Sequence, residues 1–253
     1  MEKRGTLAAD VMKRKVSRLG VVSHVGVVLS FVIFVTFIVF IYIIVKPAVG
    51  TENKQNLLNY LKEGLIERAS AELTSVSVLI DIETSQKCVQ LRDFFNKTEI
   101  GNRVIVRNDI GEVLDAKTSG QDLFVERNEN RIFLKVYGSE EFSIIETGTI
   151  SPCQQLSEGS EGYIFGLIRS EKNIFEKRII QMIESYDDNY ESLKEELNIA
   201  GNEFGLGFTY ANGTSISTEE KEVLVSVFVD EFPIQYISKD ASRELGSLNV
   251  GIW

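Results

Sequence analysis

Residues 21–45 read VVSHVGVVLSFVIFVTFIVFIYIIV, twenty-five positions with no formal charge when His24 is neutral, bounded by Arg18 before and by Lys46-Pro47 after. A helix of that length covers a hydrocarbon core of roughly 30 Å with some tilt. A helix that is apolar all round needs an apolar solvent, so a buried helix of a water-soluble protein is the poorer reading. A secretory signal would have an apolar core of about 7–15 residues and a small-residue cleavage site. This run is longer and ends in Ile-Ile-Val-Lys-Pro. Its β-branched content is no obstacle, because in lipid every backbone polar group must be paired internally and the segment is held helical. The stretch predicts a transmembrane helix over 21–45, preceded by a basic cytoplasmic segment, 1–20.

Charge sets the expected direction. Lys3, Arg4, Lys13, Arg14, Lys15 and Arg18 precede the run against Glu2 and Asp10, whereas Lys46 and Lys54 stand against Glu52 after it. The excess of Lys and Arg keeps the N-terminus in the cytoplasm and exports the chain beyond Pro47. Of 27 basic and 37 acidic residues, 7 and 2 lie in residues 1–46, leaving 20 against 35 and a net charge of about −15 for residues 47–253. Nucleic acid and anionic lipid surfaces call for a basic footprint, so neither is an expected partner of that region. The expected location is the cell membrane, single-pass, with the C-terminal domain outside. The expected partners are the bilayer and either another envelope protein or further copies of the chain.

Cys88 and Cys153, the two cysteines, both fall in the exported part, where an oxidising compartment permits one disulfide between them. Asn96-Lys97-Thr98 and Asn212-Gly213-Thr214 match the N-glycosylation pattern. Within the apolar run, Gly26 and Ser30 form a small-xxx-small pair with Ser23 one turn earlier, a pattern that lets helices approach closely. Phe31, Phe34, Phe37 and Phe40 recur every three residues beside it.

Beyond the run, Pro47 and Gly50 suggest a bend. Leu58, Leu61 and Leu65 predict a juxtamembrane helix within 46–70. A β-rich part, 71–158, comes next, with strands expected over 72–82, 88–94, 103–107, 122–126, 131–137 and 142–147. Val76, Val78, Ile80 and Ile82 alternate against Ser75, Ser77, Leu79 and Asp81, and Asn108-Asp109-Ile110-Gly111, Thr118-Ser119-Gly120 and Asn128-Glu129-Asn130 supply turn chemistry. An α+β part, 159–253, belongs to the same domain or to a second one. It opens with a strand over 163–168. Phe175, Ile179, Met182, Tyr186, Tyr190, Leu193 and Leu197 then mark one face of a helix over 170–199, capped by Ser170 and either long or broken at Asp187-Asp188-Asn189. Strands over 204–210, 222–229, 234–238 and 247–253 close it. The expected fold is thus an N-terminal transmembrane helix and an α+β exported region dominated by antiparallel sheet, with one long or broken amphipathic helix.

No reaction centre emerges. The single histidine, His24, lies in the apolar run, so residues 47–253 lack the imidazole of a Ser-His-Asp or Cys-His constellation or of a zinc site. There is no phosphate-binding glycine loop and no spaced-carboxylate calcium loop. Asp187-Asp188 with Glu191, Glu195 and Glu196, Glu219-Glu220 with Glu222, and Asp230-Glu231 are acidic clusters that read as solvated faces, with a glycosidase-type carboxylate pair as the catalytic alternative and weak divalent-metal binding as a further one. No catalytic residue, cofactor or metal ligand is expected.

Three segments also carry a resemblance: SHVGVVLSFVIFVTFIVFIYIIVKP at 23–47, YESLKEELNIAGNEFGLGFTYANGT at 190–214 and FPIQYISKDASRELGSLNVGIW at 232–253. Together the chain resembles a poorly characterised group of archaeal single-span membrane proteins with exported β-rich domains, a likeness that brings no catalytic residues with it. The apolar helix also resembles that of archaeal type IV pilins, whose precursors are clipped after a short basic leader, with Arg18-Leu19-Gly20 or Lys3-Arg4-Gly5 in the leader's place. It departs from them at Val25, five positions after Gly20, where that family usually has glutamate. After Gly5 the next thirteen residues are too polar for a pilin core. The resulting expectation is a non-enzymatic, membrane-anchored structural or protein-interaction subunit of the cell envelope. The alternatives are a pilin-like filament subunit and an exported ligand-binding or hydrolytic domain.

Overall fold

The computed structural model describes the backbone of residues 6–80, 86–127, 133–159, 161–199, 201–218 and 227–253, with the side chains of residues 6–24 and 44–53 outside the described set. The chain divides into two units, residues 1–56 and residues 57–253. Helix α1 is assigned over Thr6–Ala69 without interruption at Pro47 or Gly50, and the segment expected as a juxtamembrane helix falls within it up to Ala69. In the first unit, Val25–Ile43 is long and apolar enough to cross a membrane, and none of that window is buried.

In the second unit, Leu58, Leu61, Leu65 and Ala69 of α1 recur three or four apart and are buried as one stripe. The helix stops where Ser70 opens β1 (Ser70–Ile80). Its last carbonyls are not left bare: the Ser70 hydroxyl donates to Ile66 O at 2.6 Å, and the Arg178 guanidinium donates to Arg68 O at 3.3 Å and Ser70 O at 2.8 Å. Next come β2 (Cys88–Leu91), the short helix α2 (Phe94–Thr98), β3 (Val104–Asn108), β4 (Val113–Leu114), β5 (Ala116–Ser119), β6 (Asp122–Glu126), β7 (Phe133–Gly138), β8 (Glu146–Thr147) and β9 (Gln154–Leu156). The thirteen-residue β10 (Tyr163–Phe175) leads into α3 (Glu176–Asp188) and α4 (Tyr190–Glu196), and β11 (Phe204–Tyr210), β12 (Ser215–Ser217), β13 (Phe228–Ile237) and β14 (Arg243–Ile252) complete the unit.

The strands form two sheets, one of nine in the order β12-β11-β14-β13-β10-β1-β7-β3-β4 and one of five in the order β8-β5-β6-β2-β9. Pairing is antiparallel except at β10–β13, β2–β9 and β5–β8. The large sheet is buried by different partners along its width. Its β1, β3 and β7 face the small sheet across a core of Val76, Val78, Ile80, Val106 and Val136 against Val89, Leu91, Leu123 and Val125, an arrangement of sheet on sheet. Its β11, β13 and β14 instead face α3, α4 and the end of α1, with Phe204, Phe208, Tyr236, Leu248 and Val250 against Ile179, Met182, Tyr186 and Leu61. A small third cluster, Leu73, Phe142, Phe175, Ile237 and Ala241, lies near the β10–β13 junction. Alternation of apolar and polar residues with period two puts one side of β1, β3 and β7 into these cores.

Several expectations shift. The strand expected to stop at Ile168 continues to Phe175, so Ser170 caps no helix; its hydroxyl lies 2.7 Å from that of Thr74 across the β1–β10 ladder. Antiparallel pairing from Ser70↔Ile174 to Val76↔Ile168 outweighs the helix-like charge pattern of residues 169–173. The amphipathic helix is broken, with Asn189 joining α3 to α4. Of the strand expected over 142–147 only Glu146–Thr147 pairs, while Phe142 and Ile145 turn into the cores. Phe94, expected at a strand end, is buried with Phe95 in α2. Two expected strands merge in part into β13, which passes through Pro233. Among the described residues the flank of β13 facing β10 is unpaired there, and an open flank tolerates a residue without an N–H. The expected positions 81–82, 128–132 and 222–226, and the acidic Glu219-Glu220-Glu222, lie outside the described residues.

Between β9 and β10 the backbone folds back tightly: Tyr163 N donates to Ser157 O at 3.1 Å and Gly162 N to Gly159 O at 3.1 Å. A Cβ on Gly162 would sit 1.8 Å from Ser157 O, an overlap with backbone that no rotamer change relieves. Gly162→Ala is therefore expected to destabilise the chain by about 3 kcal/mol, at the upper end of overpacking costs. A urea midpoint equal to that of the parent chain would show that the turn can shift and would defeat this account.

Candidate interaction surface

One strand gathers features that a closed sheet hides. On one side β10 is laddered to β1 along its length, from Ser70↔Ile174 to Ile80↔Tyr163. On the other it meets β13 only at Ile174↔Tyr236 and Phe175↔Ile237. Tyr163 is closed on that side by the preceding turn, its N–H donating to Ser157 O at 3.1 Å and its C=O accepting from Gly159 N at 3.0 Å, and among the described residues no strand covers the flank from Ile164 to Asn173. An unpaired flank presents N–H and C=O groups that can template another strand.

The two halves of this edge differ chemically. Residues 163–168, YIFGLI, carry no charge, and Leu167 is 68% exposed, Ile168 44% and Ile164 40%. Ile164 stands opposite Leu79 and Leu79 opposite Phe133, so an apolar row crosses three strands on the solvent face. Residues 169–173, RSEKN, are occupied. Glu171 pairs with Arg169 at 2.9 Å and with Arg243, Lys172 pairs with Glu67, and the Asn173 amide donates to Glu171 O at 3.2 Å. Desolvation opposes the Glu171 charge, but the Arg243 and Arg169 guanidiniums outweigh it and hold this carboxyl below the usual carboxylate range. Edge charges and side-chain plugs of this kind blunt strand addition, so the open part is 164–168.

Two concave places lie elsewhere. A groove of about 480 Å³ runs beside α3 between Phe142, Phe175 and Ile237, and several of its charged residues are engaged: Lys177 with Glu141, and Arg103 with Glu140 at 3.2 Å and Phe142 O at 2.8 Å. A shallow depression of similar volume lies on the outer face of β11, β14 and β13, floored by Gly205, Gly207 and Gly251 and walled by Val229 and Trp253.

Cys88 and Cys153 form a disulfide with Cα atoms 4.5 Å apart, one opening β2 and the other just before β9. Asn96 is exposed on α2, and Asn212 is exposed in the β11–β12 turn. Gly26 and Ser30 are exposed on α1, and a Cβ on Gly26 would meet nothing within 4 Å. The side chains of Ser23 and His24 lie outside the described residues. Among the described residues the acidic clusters are not brought together into a metal-binding group. Glu196 pairs with Arg68, Asp230 with Lys62 at 3.6 Å, and Glu231 accepts from the Ser247 hydroxyl at 2.7 Å. Among the described residues no group of three or more His, Cys, Asp or Glu side chains is placed to hold a metal ion.

Sequence reasoning missed the tyrosine–carboxylate contacts that seal the helix-covered half. Tyr190 donates to Glu203 Oε2 at 2.6 Å and accepts from Phe204 N at 3.1 Å, while Tyr186 donates to Phe204 O at 2.7 Å. Lys194 completes the Glu203 carboxylate at 2.6 Å. Burial, then the bond to Glu203, raises the Tyr190 hydroxyl far above its usual range, and burial raises Tyr186 as well. These hydroxyls therefore stay protonated and serve as structural donors. They satisfy the start of β11, whose backbone would otherwise be a second bare edge.

No protein-family model, no curated protein and no solved structure matches the chain.

Proposed function

We propose that the chain is a membrane-anchored, non-enzymatic interaction subunit of the cell envelope, akin to the archaeal single-span proteins it resembles. Residues 21–45 hold it in the bilayer, residues 1–20 stay in the cytoplasm and the β-rich region lies outside. The observation that carries the interaction role is the uncharged open edge of β10 at 164–168, with Leu167 and the row Ile164, Leu79 and Phe133 beside it. Its occupant is an extended segment of another envelope protein, which adds main-chain hydrogen bonds to β10 and places apolar side chains against that row. Basic residues around that segment suit a region with a net charge of about −15. The apolar helix supports the anchor, since its exposed apolar surface is stable only in an apolar medium. The lack of histidine in residues 47–253 supports the non-enzymatic reading.

The test is extraction of the endogenous protein in mild detergent, with intact mass, native mass and co-extracted proteins read from one sample. The expected result is an uncleaved chain in a defined complex with a second envelope protein. A chain lacking its first twenty residues in a homopolymer favours the pilin-like alternative, and loss of residues 1–45 identifies the apolar run as a signal sequence. An uncleaved monomer counts against the proposal. Leu167→Lys puts a charge on the open edge without touching a core, so it is expected to weaken the complex at least tenfold with the urea midpoint unchanged. Retention of the complex would move the contact elsewhere.

A further inference from the structure

We infer that Asn212 is a site of N-linked glycosylation in the folded protein and that Asn96, which satisfies the same sequence pattern, is not. The inference rests on the exported placement proposed above, since the modification requires a compartment that holds glycan donors.

The two triplets fold in opposite ways. Asn212-Gly213-Thr214 forms the tip of the β11–β12 hairpin. Gly213 takes φ +84°, its N–H donates to Tyr210 O at 2.9 Å, and Tyr210 N–H donates to Thr214 O at 2.8 Å, which closes a tight turn on glycine's tolerance of positive φ. All three residues are exposed, and a Cβ on Gly213 would meet nothing within 4 Å, so the tip stands in open space. The Thr214 N–H donates to Asn212 Oδ1 at 2.9 Å. That bond fixes the carbamoyl group by its oxygen and leaves Nδ2, the atom that receives the sugar, free of any role in the turn. In Asn96-Lys97-Thr98 the third residue is only 7% exposed, and its hydroxyl donates to Phe94 O at 2.9 Å within α2. Lys97 is also tied to Glu158 at 2.9 Å. A pattern that demands Ser or Thr at its third position requires a transferase that reads that hydroxyl, and the Thr98 hydroxyl is turned inward.

In the reaction, Asn212 Nδ2 bonds to the anomeric carbon of an oligosaccharide carried by a polyprenyl phosphate or diphosphate. The carbon–oxygen bond to the phosphate breaks, the lipid phosphate leaves with the electron pair, and the amide releases one proton. The consequence is structural. β12 is the outermost strand at its end of the nine-stranded sheet and has three residues, and a glycan at the hairpin tip screens that edge from pairing with another chain.

The experiment uses the full-length protein in its own cells. Intact cells are treated with a membrane-impermeant amine reagent, the chain is purified, and the peptides bearing Lys239, Asn96 and Asn212 are weighed. The expected result is a labelled Lys239, an Asn212 peptide heavier by an oligosaccharide and an unmodified Asn96 peptide. Thr214→Ala is expected to abolish the added mass and Thr214→Ser to keep it, with equal urea midpoints, because only backbone atoms of Thr214 support the turn. A labelled Lys239 with an unmodified Asn212 overturns the glycan and leaves the exported placement standing. An unlabelled Lys239 with no glycan overturns both. A glycan on Asn96 shows transfer before folding and overturns the discrimination drawn from the fold.

Discussion

Replacing Cys88 and Cys153 together by alanine lowers the unfolding free energy of the full chain by about 4 kcal/mol, the chain-entropy value for a closed loop of this size. The bridge joins residues 65 positions apart. In the folded protein they are neighbours because β2 and β9 run parallel in one sheet, Val89 opposite Gln154. In the unfolded chain without the bridge those ends separate, and the entropy gained is lost again on folding. Cys88 is buried beside a core that includes Val89 and Leu91, so alanine also gives up some packing. For a unit of this size the loss corresponds to roughly 10 °C in Tm. The measurement is urea unfolding in detergent, monitored by circular dichroism and by the fluorescence of the single tryptophan, Trp253. Reduction of the parent chain is expected to reproduce the double variant. Trp253 lies in the helix-covered half and the bridge in the sandwich, so coincident transitions would show that β1 and β10 make the two halves one cooperative unit. A change under 1 kcal/mol would mean that the unfolded chain already holds these ends together, and the entropic account would fail.

Legibility in the sequence depends on the range of each interaction. The apolar run of 21–45, the alternation of Val76, Val78 and Ile80, the stripe from Ile179 to Leu197 and its break at Asn189 are local signals, because each records which side of one element faces away from water. The strand character of residues 169–175 was hidden for the opposite reason. Arg169-Ser170-Glu171-Lys172 looks like a capped, charged helix start, and what overrides it is pairing with residues 70–75, almost a hundred positions earlier. The open edge was hidden too, since whether a strand is covered depends on sheet order. The only local trace is that YIFGLI lacks the charge found in RSEKN. Tyr210 with Glu176 and Tyr190 with Glu203 are likewise long-range encounters of ordinary residue types.

Those tyrosines carry the second large effect: the folded domain collapses between pH 10 and 12. Tyr163 donates its hydroxyl to Arg92 O at 2.8 Å, Tyr210 to Glu176 at 3.1 Å and Tyr236 to Glu244 at 2.9 Å, beside Tyr186 and Tyr190. Burial is the first cause in every case. The neighbouring carboxylates Glu158, Glu176 and Glu244 then push Tyr163 and Tyr210 up to about 12 and Tyr236 beyond. An unfolded tyrosine titrates near pH 10. Below that value both states hold the proton and these groups add no pH dependence. Above it the unfolded chain loses protons that the folded chain keeps, so the unfolded state gains stability by about 1.4 kcal/mol per pH unit for each tyrosine until the folded value is reached. Partial exposure of Tyr190 and Tyr210 trims their share. Even so, several such groups acting together over two units match the whole stability of an ordinary domain, about 5–15 kcal/mol. Tyrosinate absorbance is therefore expected to rise as a cooperative step together with unfolding. Lysine–carboxylate pairs weaken in the same range, and Tyr236→Phe separates the two causes: it should flatten the fall of the urea midpoint above pH 10 by one tyrosine's worth. A parent midpoint constant to pH 11.5, or a Tyr236→Phe profile parallel to the parent's, would show that these hydroxyls ionise in place and do not hold the fold.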